Sequence, residues 1–337
     1  MNRNKKERCH WGSSLFRFPW NQKEKLNRIE ELLDDTLISW YKEKHRTPSI
    51  KEIELINSLE KTKCPYCKSS CIRKCGFYGI GIQRYQCKVC YKKFSPLTNT
   101  IFDSKKIPIS EWIEYLLHLF EFHSIRSSAR DNRNAESTGK YWLIKVFEVL
   151  KNCQKDIILE GNIYLDEMYF SVIPSKETLK NGQKLRGISR NKIGVTVAFD
   201  NNDNYYFYVT YVSKPSDKST WNAIGNHIKP KSHLIHDGER SHGILIRRLK
   251  LTEEYYKTDW TKKIKDKNNP LYPINHIHVL AKRFMKKHGS FNRDNLQDWM
   301  NLFWFIISKP YNRYEKVEKF LEMAINSSCL VRYRDVM

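Results

Sequence analysis

The 337-residue chain contains no apolar run near the ~18–20 residues that a membrane-spanning helix needs. Its first residues, MNRNKKERCHW, are basic and lack the apolar core of a signal peptide, so neither membrane nor secretory leader is expected. There is no internal repeat and no low-complexity tract, and the length suits two or three domains. Acidic residues are scarce: 37 Asp and Glu face 60 Lys and Arg, a net charge of +23. Between residues 61 and 93 they are absent, while Lys61, Lys63, Lys68, Arg73, Lys74, Arg84, Lys88, Lys92 and Lys93 all fall there. Such an excess favours phosphate backbones, with salt-dependent binding through counterion release. Charge alone does not separate DNA from RNA or from an anionic surface.

Within that basic stretch stand two pairs, Cys64-Pro-Tyr-Cys67 and Cys87-Lys-Val-Cys90, with nineteen residues between them. Four thiolates at this spacing suit a tetrahedral zinc ion in a zinc ribbon. Cys71 and Cys75 are spare. Clustered cysteines of this kind point to metal in a reducing compartment rather than to disulfides, hence to a cytoplasmic or nuclear protein. A basic zinc module belongs on a polyanion, and nucleic acid is the expected partner.

Leu26, Ile29, Leu33, Leu37, Trp40 and Tyr41 recur at helical spacing, which predicts an amphipathic packing or dimerisation helix over 22–42. A short helix over 50–59 leads into the ribbon, where Gly76, Gly79 and Gly81 mark turns between two short strands. Ser110 is placed to cap the next helix, Glu111 suits its positive end, and Trp112, Leu116, Leu119 and Phe120 form its buried stripe. Helices over 125–131 and 137–150 follow, with a polar break at 132–134 between them. The three suit either a helix-turn-helix or a plain helical connector, because Gly139 lies where a recognition helix would run. From residue 160 the texture changes to strands, over 163–170, 195–199 and 205–211, with a hairpin turn at 200–204. A polar loop over 213–219, a helix near 221–227 and a short buried strand over 233–237 come next. Helices return over 241–250, 274–288 and 296–307, and 261–270 reads as an exposed basic loop. Strands and helices in this order make a mixed α/β domain.

Two aspartates stand out by position. Asp166 lies inside an apolar strand, where an uncompensated charge is costly. Asp237 closes a later strand, at the end where sheets commonly present chemistry. On neighbouring strands the two carboxylates would converge and hold Mg²⁺ or Mn²⁺, ions that take substrate phosphates as further ligands. The structural alternative is a turn-proximal or salt-bridged aspartate. Glu167 faces away from Asp166 in a regular strand, which makes it an accessory or surface residue rather than a ligand. His236 and His242 bracket Asp237 and are expected to be solvated or packed.

A basic ribbon ending Arg-Tyr-Gln-Cys-Lys-Val-Cys-Tyr-Lys-Lys-Phe-Ser, then helices, then Tyr-Leu-Asp-Glu-Met-Tyr-Phe, resembles the insertion-sequence transposases of the zinc-ribbon, ISXO-like kind. The resemblance runs from about Cys64 to Pro310. It implies the ribonuclease-H-like fold of DDE recombinases, with Asp166 and Asp237 at the first two catalytic positions. The segment Pro273-Ile-Asn-His-Ile-His-Val-Leu-Ala-Lys-Arg-Phe284 is similar to the family's third motif and puts Asn275 at the third position. An Asn carbonyl can ligate a hard cation but brings no charge. His278, at i+3 from Asn275, shares its face and is a second accessory candidate.

The expectations are therefore these. An N-terminal extension occupies 1–55, a zinc ribbon 56–100, and a helical DNA-binding or linker segment 101–155. A ribonuclease-H-like α/β domain with a mixed sheet flanked by helices follows at 156–310, and a C-terminal tail at 311–337. Cys64, Cys67, Cys87 and Cys90 hold structural zinc; Asp166, Asp237 and Asn275, with Glu167 and His278 as accessories, hold catalytic Mg²⁺ or Mn²⁺. Arg84, Lys88, Lys92, Lys93, Lys282, Arg283, Lys286 and Lys287 face DNA. The resemblance implies 3′-end cleavage at the element's terminal repeats and strand transfer to a double-stranded target, by a homodimer or larger assembly. The alternatives are an inactive, repurposed DNA-binding derivative and a structure-selective nuclease on the same fold.

Overall fold

The computed structural model describes residues 50–103, 107–171, 189, 191–210, 214–257, 268–289 and 292–336. The helix expected over 22–42 and the 261–267 part of the expected basic loop lie outside the described residues. The chain divides into two compact units, Met1–Val149 with Asn312–Met337, and Leu150–Tyr311. Among the described residues no helix is long and apolar enough to cross a membrane.

In the first unit, helix α1 (Ile50–Ser58) precedes three antiparallel strands, β1 (Ile72–Phe77), β2 (Gln83–Cys87) and β3 (Lys93–Phe94), in the order β1-β2-β3. The sequence predicts two strands here; the third is a two-residue element too short to leave a pattern. Tyr85 and Phe94 stack at 5.7 Å over the buried side of this small sheet. Helices α2 (Ile109–Phe120), α3 (Ile125–Asp131) and α4 (Glu136–Leu150) follow.

Ser110 does not cap α2. It lies inside the first turn, and its hydroxyl donates to Glu52 Oε1 at 2.9 Å, so a long-range partner displaces the local one. Trp112 and Trp142 stack at 4.2 Å and centre the buried aromatic packing. A side chain at Gly139 would stand 3.2 Å from Ala129 Cβ and Ile125 Cγ2, so this glycine lets α3 and α4 approach closely. The residues expected as a C-terminal tail contain helix α9 (Arg313–Asn326), with Phe320 edge-on to Phe120 at 6.2 Å. Lys61, one of the ribbon's nine basic residues, is buried here and donates to the Ile325 carbonyl.

The second unit is built on strands β4 (Asn162–Ser171), β5 (Lys192–Asp200), β6 (Tyr205–Val209), β7 (His233–His236) and β8 (Thr252–Tyr255). Their order is β6-β5-β4-β7-β8; β5 runs antiparallel to β4 and β6, while β4, β7 and β8 run parallel. A three-strand meander joined to two parallel strands is the ribonuclease-H-like arrangement that the resemblance implies. Alternation along β4 sends Ile163 and Leu165 to one face. There they join Ile224 of α5 (Asp217–Ile224) and Leu245 of α6 (Gly243–Leu249) in the buried core. Tyr164, Asp166 and Met168 take the other face, covered by α7 (Tyr272–Lys287), which packs on β4 and β5. Helix α8 (Leu296–Ile307) packs on β6, where Gln154 and Gln297 bond to the backbone of Phe207 and Val209 and close the sheet's edge.

Candidate active site and metal centre

Cys64 and Cys67 stand before β1, and Cys87 and Cys90 enclose the turn after β2. Cys64 Sγ lies 3.6 Å from Cys90 Sγ, Cys67 Sγ lies 3.5 Å from Cys87 Sγ, and all four sulfurs fall within 4.8 Å of one another. A zinc–thiolate bond of ~2.3 Å gives a tetrahedral edge of ~3.8 Å, so the cluster fits a zinc ion. The residue after each pair, Lys68 and Tyr91, takes a left-handed φ of 63° and 59°, which folds each knuckle back on itself. The backbone N–H groups of Cys90 and Val89 point at Cys87 Sγ and hold its thiol down at about 6, the thiolate form that a metal requires. Cys71 and Cys75 lie outside the cluster.

Around this centre Lys88, Lys92 and Lys93 are exposed, with Lys92 Nζ 4.6 Å above the Tyr66 ring. Arg84 is half-buried: its Nε donates to the Cys75 carbonyl at 3.0 Å, and its guanidinium lies 5.8 Å over the Tyr78 ring. Lys74 is already paired with Glu60 at 2.7 Å.

In the second unit, parallel pairing sets Leu165 opposite His236. The next residue on each strand is an aspartate, Asp166 within β4 and Asp237 just past β7, so register alone makes them neighbours. Asp237 is held in a tight turn: its Oδ1 accepts the Glu239 N–H at 2.9 Å, and Gly238 takes a φ of 82° that an L side chain rarely adopts. Asp166 Oδ1 accepts the Glu167 N–H at 2.8 Å. Burial, then the charge of Asp237, then that of Glu167, push the Asp166 carboxyl up to about 7. Carboxylates gathered this way oppose one another unless a cation joins them, and oxygen donors of this kind suit Mg²⁺ or Mn²⁺.

Beside the aspartates a chain of polar side chains runs from buried Glu167, His242 and His236 out to exposed Glu253. His242 Nε2 is 3.1 Å from Glu167 Oε1, His242 Nδ1 is 2.9 Å from His236 Nδ1, and His236 Nε2 is 3.3 Å from Glu253 Oε2. His236 Nδ1 also accepts the Gly238 N–H at 3.2 Å, so this nitrogen carries no proton. His242 must then donate from both nitrogens, as an imidazolium. Burial opposes that charge, but the Glu167 hydrogen bond and the surrounding carboxylates win and raise the His242 pKa. His236 is lowered, by burial and by the His242 charge, and stays neutral. His236, Asp237 and His242 lie within reach of a common ion, yet both histidines already spend their Nδ1 atoms on each other. His242 Nδ1 stands 4.0 Å from Asp237 Oδ1, and the Gly238 N–H bond ties His236 to the turn that carries Asp237.

His278 of α7 brings Nδ1 to 3.8 Å from Asp166 Oδ2, beyond hydrogen-bond length. Burial and Lys282 hold this imidazole down at about 4, so it is neutral. Asn275 lies one turn earlier on the same helix, exposed, with no side-chain hydrogen bond among the described residues. Lys282, Arg283, Lys286 and Lys287 are all exposed on α7.

The structure thus sets Asp237 and His278 beside Asp166 and leaves Asn275 exposed on α7. Glu167 does face away from Asp166, as alternation predicts, but it is buried against His242 rather than at the surface. The His242–His236–Glu253 chain was missed by sequence reasoning. Its only signal is the bracketing of Asp237 by two histidines, which does not reveal that Glu167, 75 residues away, is the partner.

No protein-family model matches the chain, and no curated protein matches it significantly. Among solved structures it is similar to a pre-cleavage Mos1 transpososome, at 11% identity over 62% of this chain and 76% of that one, with a TM-score of 0.24. A Mos1 transposase paired-end complex with the left transposon end matches at 12% over 62% and 77%, again with a TM-score of 0.24. The Mos1 strand transfer complex gives 12%, 62%, 76% and 0.24. A TM-score of 0.24 is too low to equate the folds, so the architecture rests on this chain's own strand order and register.

Proposed function

We propose that the chain is a DNA transposase of an insertion sequence, which binds the element's terminal inverted repeats and carries out metal-dependent 3′-end cleavage and strand transfer. The observation that carries this reading is the β4–β7 register, which makes Asp166 and Asp237 neighbours where β7 ends beside the central strand of a ribonuclease-H-like sheet. Divalent ions held there would align the attacking and leaving oxygens of an in-line phosphoryl transfer. Asp166 and Asp237 are the proposed ligands, with Asn275 as the third position. Glu167, His242 and His236 fix the Asp237 turn from behind. His278, neutral and buried with Nδ1 3.8 Å from Asp166 Oδ2, is an accessory group that could relay a proton or contact a phosphate there.

The exposed cations of α7 and of the ribbon suit the phosphates of two duplexes, the element end and its target. Holding two ends for joining calls for a homodimer or larger assembly, working on nucleoid DNA in the cytoplasm.

A strand-transfer assay with Mg²⁺ and a fragment ending in the inverted repeats that flank the gene tests this reading. Wild-type protein should join ends, whereas Asp166→Ala and Asp237→Ala should lose joining with DNA affinity nearly unchanged. Normal joining by either variant refutes the catalytic assignment. Cutting without joining would identify a nuclease, and binding alone an inactive derivative.

A further inference from the structure

The last turn of α2 carries a histidine, His118, and the chain then reverses through Phe122, whose φ of 64° is left-handed. This turn lets the His123 N–H donate to the His118 carbonyl at 3.0 Å and lays the two imidazoles face to face, 5.0 Å between centroids and 12° from parallel. Asp131, the final residue of α3, comes to the same place. Ser127 Oγ donates to its Oδ2 at 3.2 Å and steadies the carboxylate, while Arg130 stands 3.8 Å from Oδ1. One donor atom from each of the three residues lies within 4.8 Å of the other two. His118 Nδ1 is buried and finds no hydrogen-bond partner among the described residues.

We infer that His118, His123 and Asp131 form a second metal site, for a zinc ion, distinct from the four-cysteine cluster. Two imidazoles and a carboxylate are a recurrent zinc donor set, with water free to complete the tetrahedron. Stacked imidazoles and a carboxylate that all converge on one point are better explained by a shared cation than by ring stacking alone. That stacking uses neither the unpaired Nδ1 nor Asp131. Ser127 then plays the part of the outer hydrogen-bond donor that orients a ligating carboxylate. The ion would staple the end of α2 to the end of α3 across their connecting turn.

The test is zinc content per chain in full-length protein purified with zinc and dialysed into metal-free buffer. Wild type should retain two ions; His123→Ala and Asp131→Asn should each retain one, with unchanged circular dichroism. His123→Cys, which keeps a ligand atom, should retain two. In cobalt-substituted protein the thiolate charge-transfer absorption should persist in His123→Ala while the remaining visible bands lose intensity. One zinc per wild-type chain, or two in His123→Ala, overturns the site.

Discussion

Glu167 accepts a hydrogen bond from His242 at 3.1 Å, tying the middle of β4 to the segment that follows Asp237. Glu167→Gln keeps the shape but removes the charge that holds His242 as an imidazolium. As a positioning change behind metal-proximal residues, it should lower the joining rate about 10–100-fold and raise the Mg²⁺ requirement, with DNA affinity unaltered. Joining rates across a Mg²⁺ titration read this directly; identical curves for variant and wild type would remove Glu167 from the machinery.

Asp166 makes stability depend on pH in the metal-free protein. Its folded carboxyl binds a proton up to about 7, whereas an unfolded aspartate releases it near ~3.9. The folded form holds more protons between those values, so stability from this group is greatest below about pH 4 and falls as pH rises toward 7. Asp166→Asn should remove this decline, about 1–4 kcal/mol, in urea unfolding with chelator present. Mg²⁺ should stabilise wild type more at pH 8 than at pH 5. Equal stabilisation at both would contradict a cation at this carboxylate.

His288 acts in the opposite direction. It sits 4.4 Å from the Trp299 ring and 4.9 Å from Phe284, and neither ring nitrogen has a hydrogen-bond partner among the described residues. Burial holds it down at about 4. The unfolded chain takes up this proton near ~6.5, so the stabilisation is complete above pH 6.5 and is lost as pH falls toward 4. His288→Phe should flatten that acid limb by about 1–3 kcal/mol in urea midpoints taken from pH 7 to 4.

The basic strip of α7 has a salt signature. If Lys282 and Lys286 contact phosphates, replacing either with Ala should weaken duplex binding for every sequence and reduce the slope of log affinity against log salt by about 0.9. Lys88→Ala in the ribbon should do the same. Unchanged slopes would mark these side chains as solvated surface.

Much of this was legible because local chemistry and tertiary structure agree. The spacing of Cys64, Cys67, Cys87 and Cys90 reports a four-sulfur pocket because each knuckle is built from adjacent residues. The alternation of Ile163 and Leu165 marks a strand covered on one face by helices, and helix 296–307 appears with the expected bounds. Strand β8 was not legible: Thr-Glu-Glu-Tyr is polar and exposed at the sheet's edge, so pairing with β7 gives it no apolar period. Helix α9 carries Val317, Phe320, Leu321 and Ala324 at helical spacing, a signal present but unread in the supposed tail. Ser110 went to Glu52, and His242 to Glu167, through contacts that no local window contains.

The polypeptide's last residues belong structurally with its early ones. Thr62 Oγ1 donates to Asn326 Oδ1 at 3.1 Å, Arg313 reaches Glu121 at 2.6 Å, and the Tyr141 hydroxyl donates to the Val331 carbonyl at 2.7 Å. A nonsense codon just past 312 would therefore spare every residue of the sheet yet deprive the cysteine-bearing half of its closing segment. If that half grips DNA as proposed, truncating the chain there would weaken DNA binding while leaving the five-stranded sheet whole.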